Sequence, residues 1–329
     1  MKPQSTATWW TAAALGALLP LTVASAASDS PRAGVTLVAS GLQGAGGSTI
    51  GPGDALYVVE GAVGRISRID PRTGRVTTFA SGLPRAIVDI GGAIDVAFVG
   101  DTAYVLVTLV GPDVGGHDVV GIYRVDSPTT FSIVADLGAF SLAHPPSTSY
   151  FIPTGVQYAF EPYRGGFLVT DGHHNRVLRV TRQGDVSEWI TFGNTVPTGL
   201  AVAGNSVYVA QAGPVPHLPA DGKVVKVTRP SPMVRDVAAG ARLLVDVEFG
   251  RGRRLYALSQ GYFPAGNPEG SPAQPDTGSL VRARPDGTFA VVADHLNQPT
   301  SLEFIGRSAY VVSLAGEVWK IEGVTDRPE

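Results

Sequence analysis

Short apolar runs follow one another along this chain, each ended by a Gly, Pro, Asp or Asn turn, with no long stretch of helical spacing between them. Five carry tyrosine as their second residue: Leu56–Val59 (LYVV), Ala103–Leu106 (AYVL), Val207–Ala210 (VYVA), Leu255–Leu258 (LYAL) and Ala309–Val312 (AYVV). After each comes a stretch in which polar and apolar residues alternate, as in Gly64–Ile69 (GRISRI), Gly222–Val227 (GKVVKV) and Gly316–Ile321 (GEVWKI). Successive side chains of a strand leave opposite faces, so this alternation predicts strands packed on one side.

The strands recur as a unit. Pro153–Gln157 (PTGVQ), Pro197–Ala201 (PTGLA) and Pro299–Glu303 (PTSLE) each open a similar stretch, and six copies can be counted. Four short strands per unit of about 40 to 50 residues, with no helix predicted between them, are the mark of a propeller. The expected fold is all-β, a six-bladed β-propeller of four-stranded antiparallel blades over residues 33–323.

The two ends of the chain complete each other. Gly34–Leu42 (GVTLVASGL) repeats the outer-strand phrase Gly74–Leu83 (GRVTTFASGL) without the three strands that should precede it. The last unit, from Pro299 to Val324, has three strands and lacks its fourth. A strand near Val35–Ala39 is therefore expected to pair with one near Val318–Ile321, which closes the ring and removes a free sheet edge.

Composition narrows the partners. The 329 residues carry a net charge of -3, and only 16% are charged. No lysine and arginine block forms the basic stripe that nucleic acid requires, so nucleic acid is not an expected partner. The 41 glycines and 25 prolines fall at turn positions and so indicate tight hairpins. Residues 1–26 read as a signal peptide: Lys2, an apolar run broken by Pro20, then Ala24, Ser25 and Ala26 as a small-residue cleavage site. The mature chain is expected to be secreted or extracytoplasmic, monomeric and without a membrane span. With no cysteine it has neither disulfides nor thiolate chemistry.

Asp171–Val180 (DGHHNRVLRV) resembles an NHL-type repeat. Across residues 33–323 the ASGL phrase, the Ile69–Gly74 turn (IDPRTG) and the PTG unit starts resemble the ScyD/ScyE family of exported bacterial propellers. That resemblance implies the six-bladed fold and carries no activity over to individual residues.

Function is expected on one face of the ring. Insertions at 111–119, 213–222 and 261–278, and the connector 141–152, all emerge there, and long loops on a rigid scaffold commonly bind. The expected ligand-binding face comprises His117, His144, Tyr150, His173, His217, Tyr262 and Phe263. All six histidines fall on it, His144 and His295 in connectors; they form either a shared metal or catalytic cluster or a set of solvated loop residues.

A second constellation comes from aligning the innermost strands, which puts Asp95, Gln157, Asp246 and Glu303 at one level of the central channel. Oxygen ligands of this kind are candidates to hold Ca2+, as in the six-bladed lactonases that the level resembles, or they simply line a water-filled shaft. Asp171, Asn175 and Arg176 read as turn and strand structure. Two functions follow: a binding protein or scaffold that takes a small molecule, glycan or protein partner on the loop-rich face, or a calcium-dependent lactonase or esterase using the channel carboxylates with His144 as base. A purely structural interaction module is a third.

Overall fold

The computed structural model describes residues 34–229, 232–268 and 270–324. The signal peptide predicted at 1–26 lies outside them. Twenty-four strands form six separate four-stranded antiparallel sheets, the blades of a six-bladed β-propeller. The innermost strands, in blade order, are Ala45–Gly51, Gly92–Val99, Gln157–Tyr163, Pro197–Ala203, Leu244–Phe249 and Pro299–Ile305.

Ring closure follows the sequence expectation. The strand Val35–Ala39 joins the sixth blade as its outermost strand, pairing Val35 with Ile321, Leu37 with Trp319 and Ala39 with Val318. The ends of the chain are thus held by a shared ladder, so the ring cannot open without breaking a strand pairing.

Packing runs between blades. Tyr57 of the first blade meets Phe98 of the second edge-on at 4.7 Å, and Leu106 of the second shares a core with Phe160 and Phe167 of the third. Val58 of the first packs with Val312 and Val318 of the sixth, across the closure. Four of the recurrent tyrosines are buried and Tyr208 is half-buried, and two reach beyond their own blade: Tyr256 Oη donates to Val324 O at 3.2 Å, Tyr310 Oη to Pro71 O at 3.5 Å.

The expectation of no helix fails in one connector. Leu137–Ala143 forms a two-turn α-helix between the second and third blades, capped by Asp136, whose carboxylate accepts from Ala139 N at 2.7 Å. Seven residues are too few for a helical period to stand out, but an aspartate before a run of Ala, Leu and Phe is a readable N-terminal signal.

Candidate functional site: the central funnel

Every innermost strand is irregular near its first residue, where the pairing with the second strand slips. The slip lies on the loop-rich side. A cavity of about 190 Å³ opens there, with walls that include Ile90, Ile94, Val196, Leu243 and Val245 and a floor that includes Asp95, Glu161, Asp246 and Glu248.

Strand pairing sets the levels of that floor. Ser48, Val96, Phe160, Leu200, Val247 and Leu302 pair with equivalent residues of their second strands. One residue earlier stand Gly47, Asp95, Ala159, Gly199, Asp246 and Ser301; one residue later stand Thr49, Ala97, Glu161, Ala201, Glu248 and Glu303. Blades three apart match at three of these places, Gly47 with Gly199, Asp95 with Asp246 and Glu161 with Glu303, whereas Ala97 stands where the fifth blade has Glu248.

The two aspartates do the same job in their two halves. Asp95 accepts from its own neighbour Val96 N at 2.8 Å and from Phe160 N of the next blade at 3.0 Å. Asp246 accepts from Val247 N at 2.8 Å and Leu302 N at 2.7 Å. An innermost strand has no further strand to bond, so its inward amides need another acceptor, and the aspartates supply one. The preceding blade contributes a glycine to make room. A Cβ at Gly47 would lie 2.1 Å from Asp95 Oδ1, and one at Gly199 would lie 2.5 Å from Asp246 Cα.

Depth within the ring governs the charge state of the floor, even where a carboxyl still touches the channel. Burial and, after it, the charge of Asp246 push Glu161 up to about 8. Asp246 is raised to about 7 by burial, against the pull of the Leu302 and Val247 amides. Burial drives Asp95 well above the usual range; the Phe160 amide opposes this and the Glu161 charge adds to it. Glu248 is raised by burial first and then by the charges of Glu303, Glu161 and Asp246, and Glu303 by burial and then by Glu161, Asp246 and Asp95.

The single level predicted from sequence is thus corrected. Asp95 and Asp246 share one level, Glu303 belongs to the next, and Gln157 to neither. Gln157 Oε1 accepts from Thr108 Oγ1 at 2.8 Å, and its amide reaches Asp171 at 3.2 Å, within a buried network at the strand entrance. Between Gln157, paired with Asp171, and Phe160, paired with Val169, the third blade's inner strand carries an extra residue. The fourth blade has the same slip, but there Pro197 of the PTG phrase holds the place that Gln157 holds in the third, so the third blade's phrase lies four residues ahead in the connector and counting from it stops short of Glu161; the same count misses Glu248, two residues beyond Asp246.

Calcium fits this floor poorly. Each aspartate has both carboxylate oxygens engaged by backbone amides, and among the described residues no three His, Asp or Glu stand together as a metal site.

The histidines separate. His173 lines the funnel, its Nε2 2.8 Å from Tyr158 Oη. His217 also lines it, but is nearly buried, with Nδ1 2.9 Å from Gly213 O. His174, expected in solvent, is 1% exposed and lies between Asp171, 3.1 Å away, and Ile152 O at 3.0 Å. His117 is exposed and is not part of the funnel wall. His144 caps the helix, stacked on Phe140 at 4.3 Å with Nδ1 bound to Phe140 O, which takes it away from the channel acids as a base. His295 falls at the end of a strand, Phe289–Leu296, rather than in a connector. Tyr150 is exposed, its ring edge-on to His174. Tyr262 is 52% exposed under the Arg242 guanidinium, whereas Phe263, at 8%, is an anchor packed with Ala212, Leu243 and Ala273.

The chain is similar in structure to a gluconolactonase from Xanthomonas campestris (TM-score 0.61, 11% identity, 88% of this chain and 89% of that one). It is also similar to the calcium-binding protein regucalcin from Agrobacterium tumefaciens (0.58, 12%, 88% and 94%) and to virginiamycin B lyase from Staphylococcus aureus (0.54, 11%, 88% and 99%). The likeness is one of fold. No protein-family model matches the chain, and comparison with curated proteins returned no sequence match. Six-bladed propellers of this kind include both enzymes and binding proteins. Among the described residues no helix is long and apolar enough to cross a membrane.

Proposed function

We propose that this is an exported binding protein, in keeping with its ScyD/ScyE-like sequence phrases, that holds one small, mainly apolar, neutral or cationic molecule in the central funnel. The observation that carries this reading is an apolar-walled cavity whose floor is built from acids raised by burial, several of them further by the charge of the others. Apolar walls supply affinity through burial, and a few convergent polar groups fix orientation. An anion entering the funnel would meet these acids and raise the cost of ionising them. At about 190 Å³ the cavity exceeds the roughly 150 Å³ that accommodates benzene, and its open mouth lets one ring of a larger molecule project from it.

The test uses N-phenyl-1-naphthylamine and its anionic relative 1-anilinonaphthalene-8-sulfonate, whose emission rises in apolar surroundings. The neutral dye should bind in the micromolar range and the sulfonate at least about tenfold more weakly, a difference of about 1.4 kcal/mol. Binding of the neutral dye should be lost in Ile94→Trp, which fills the wall while the fold is followed by thermal melting. Equal affinities for the two dyes, or binding unaffected by Ile94→Trp, would overturn the reading.

The competing calcium-dependent lactonase or esterase draws support from the likeness to a gluconolactonase and a calcium-binding regucalcin. A cation bound only by the folded state must stabilise it by mass action. A melting temperature raised by about 1 mM calcium, restored by chelator and unresponsive in Asp246→Asn, would favour that reading and start a lactone and ester screen.

A further inference from the structure

The longest insertion, between Gly261 and Gly278 of the fifth blade, reaches across the funnel. Gly270, Ser271 and Pro272 line the cavity together with Asp89, Ile90 and Gly91 from the connector between the first and second blades, on the far side of the ring. A Cβ placed on Gly270 would lie only 3.7 Å from Ile90 Cδ1.

Base and tip of this insertion are built differently. At the base Phe263 and Ala273 are buried with Ala212 and Leu243, and Gln274 N donates to Tyr262 O at 2.7 Å, tying the two limbs together. Gln260 Oε1 accepts from Ala273 N at 2.9 Å, and Gln298 Nε2 donates to Ala273 O at 2.6 Å, fixing the base to its own blade and to the next connector. The tip closes on its own backbone, Asn267 N to Pro264 O and Ser271 N to Pro268 O, both at 3.2 Å. Its glycines Gly266 and Gly270 have φ of 82° and 83°, a left-handed turn that other residues resist. Ala265, Asn267 and Pro268 are exposed. An anchored base and a tip seated through small contacts are the ingredients of a strap that opens locally while the ring stays folded.

We propose that this insertion is a gate over the funnel, and that the narrow gap between Gly270 and Ile90 limits the size of molecule that enters. The proposal rests on the funnel-binding reading for its purpose, but access can be measured without a ligand. The chain has no cysteine, so Ala159→Cys introduces a single thiol at the level of Asp95 and Asp246. Its alkylation is followed with iodoacetamide, which is small, and N-(1-pyrenyl)maleimide, which is bulky and uncharged. Residues 264–271 are then replaced by Gly-Gly, which the Tyr262–Gln274 hydrogen bond leaves able to close.

With the open state populated at about 10% or less, truncation should speed the bulky reagent about tenfold or more and iodoacetamide by less than about threefold. An unchanged ratio of the two rates would overturn the gate. As a second arm, Ile90→Cys with Gly270→Cys, joined by a short bis-alkylating reagent, should slow both association and release of N-phenyl-1-naphthylamine; unchanged dye kinetics would count against the gate. If the wild-type chain fails to bind the dye while truncation still changes the rate ratio, the binding reading falls and the gate stands. If the dye binds equally fast before and after truncation and the ratio does not move, the gate falls and the binding reading stands.

Discussion

Two buried polar clusters on this ring lie close together and are built on opposite principles. At the third blade Arg176 is 1% exposed, yet every arm of its guanidinium is engaged: Nε with Asp171 at 2.8 Å, Nη1 with His144 O at 2.7 Å and Nη2 with Ser141 Oγ at 3.0 Å. Together with His174 on Ile152 O and Asn175 Nδ2 on Thr148 Oγ1 at 3.0 Å, this clasp pins the long connector that follows the helix. The funnel floor gathers five carboxyls raised by burial, four of them further by the charge of the others. A charge that meets its opposite within the fold is spent on structure. Like groups collected around a cavity are costly to the fold by themselves, and such imbalance is characteristic of sites.

The comparison breaks most severely at the clasp. Arg176→Ala leaves Asp171 buried without its cation and frees the connector, so it should cost about 3–5 kcal/mol by denaturant unfolding. Replacing the pair together, Arg176→Met with Asp171→Asn, removes the stranded charge and should recover much of that loss. A single variant that unfolds at the wild-type denaturant concentration would show that the clasp does not hold the blade.

Next in size are the glycines that make room for the aspartates. Gly47→Ala and Gly199→Ala should each cost about 1–3 kcal/mol, because overpacking also displaces a bonded carboxylate. The two halves should then differ in rescue. At Gly47 the nearest obstacle is the Asp95 side chain, whose Oδ1 would lie 2.1 Å from the new Cβ, ahead of its Cα at 2.9 Å; at Gly199 it is the Asp246 backbone, with Cα at 2.5 Å. Adding Asp95→Ala should therefore recover part of the loss from Gly47→Ala, whereas Asp246→Ala should recover little from Gly199→Ala. Equal rescue in both halves would mean that side-chain crowding alone sets the cost.

These particulars also mark what was legible in the chain. The tyrosine strands, the PTG openings and the incomplete ends specify blades and closure, because strand period and turn residues are local properties. Asp95, Asp246 and Glu303 stood out for a related reason, as polar residues in otherwise apolar inner strands. Sequence counting gives Gln157 the place that Glu161 takes, because the third blade's PTG phrase lies in the connector, four residues ahead of its place in the fourth blade, and where a strand begins is set by its pairing partner. His174 and Phe263 lie in loops, yet both are buried. What buries them is contact with residues distant in sequence, Ile152 for one and Ala212 for the other.

The smallest effect is the one that isolates the floor. Acids held protonated in the folded state stabilise it fully when the pH is below their unfolded range, where both states carry the proton. Above that range the unfolded chain releases protons that the fold retains, so stability falls as pH rises, until the folded groups ionise as well. For Glu161 the window runs from 4.5 to about 8, and for Asp246 from 3.8 to about 7. The melting temperature at constant salt should therefore drop by a few degrees between about pH 5 and pH 8.5. Glu161→Gln should flatten the slope. A wild-type curve that is flat or rises over this window would mean that something balances the floor, and a bound cation would then be the first thing to look for.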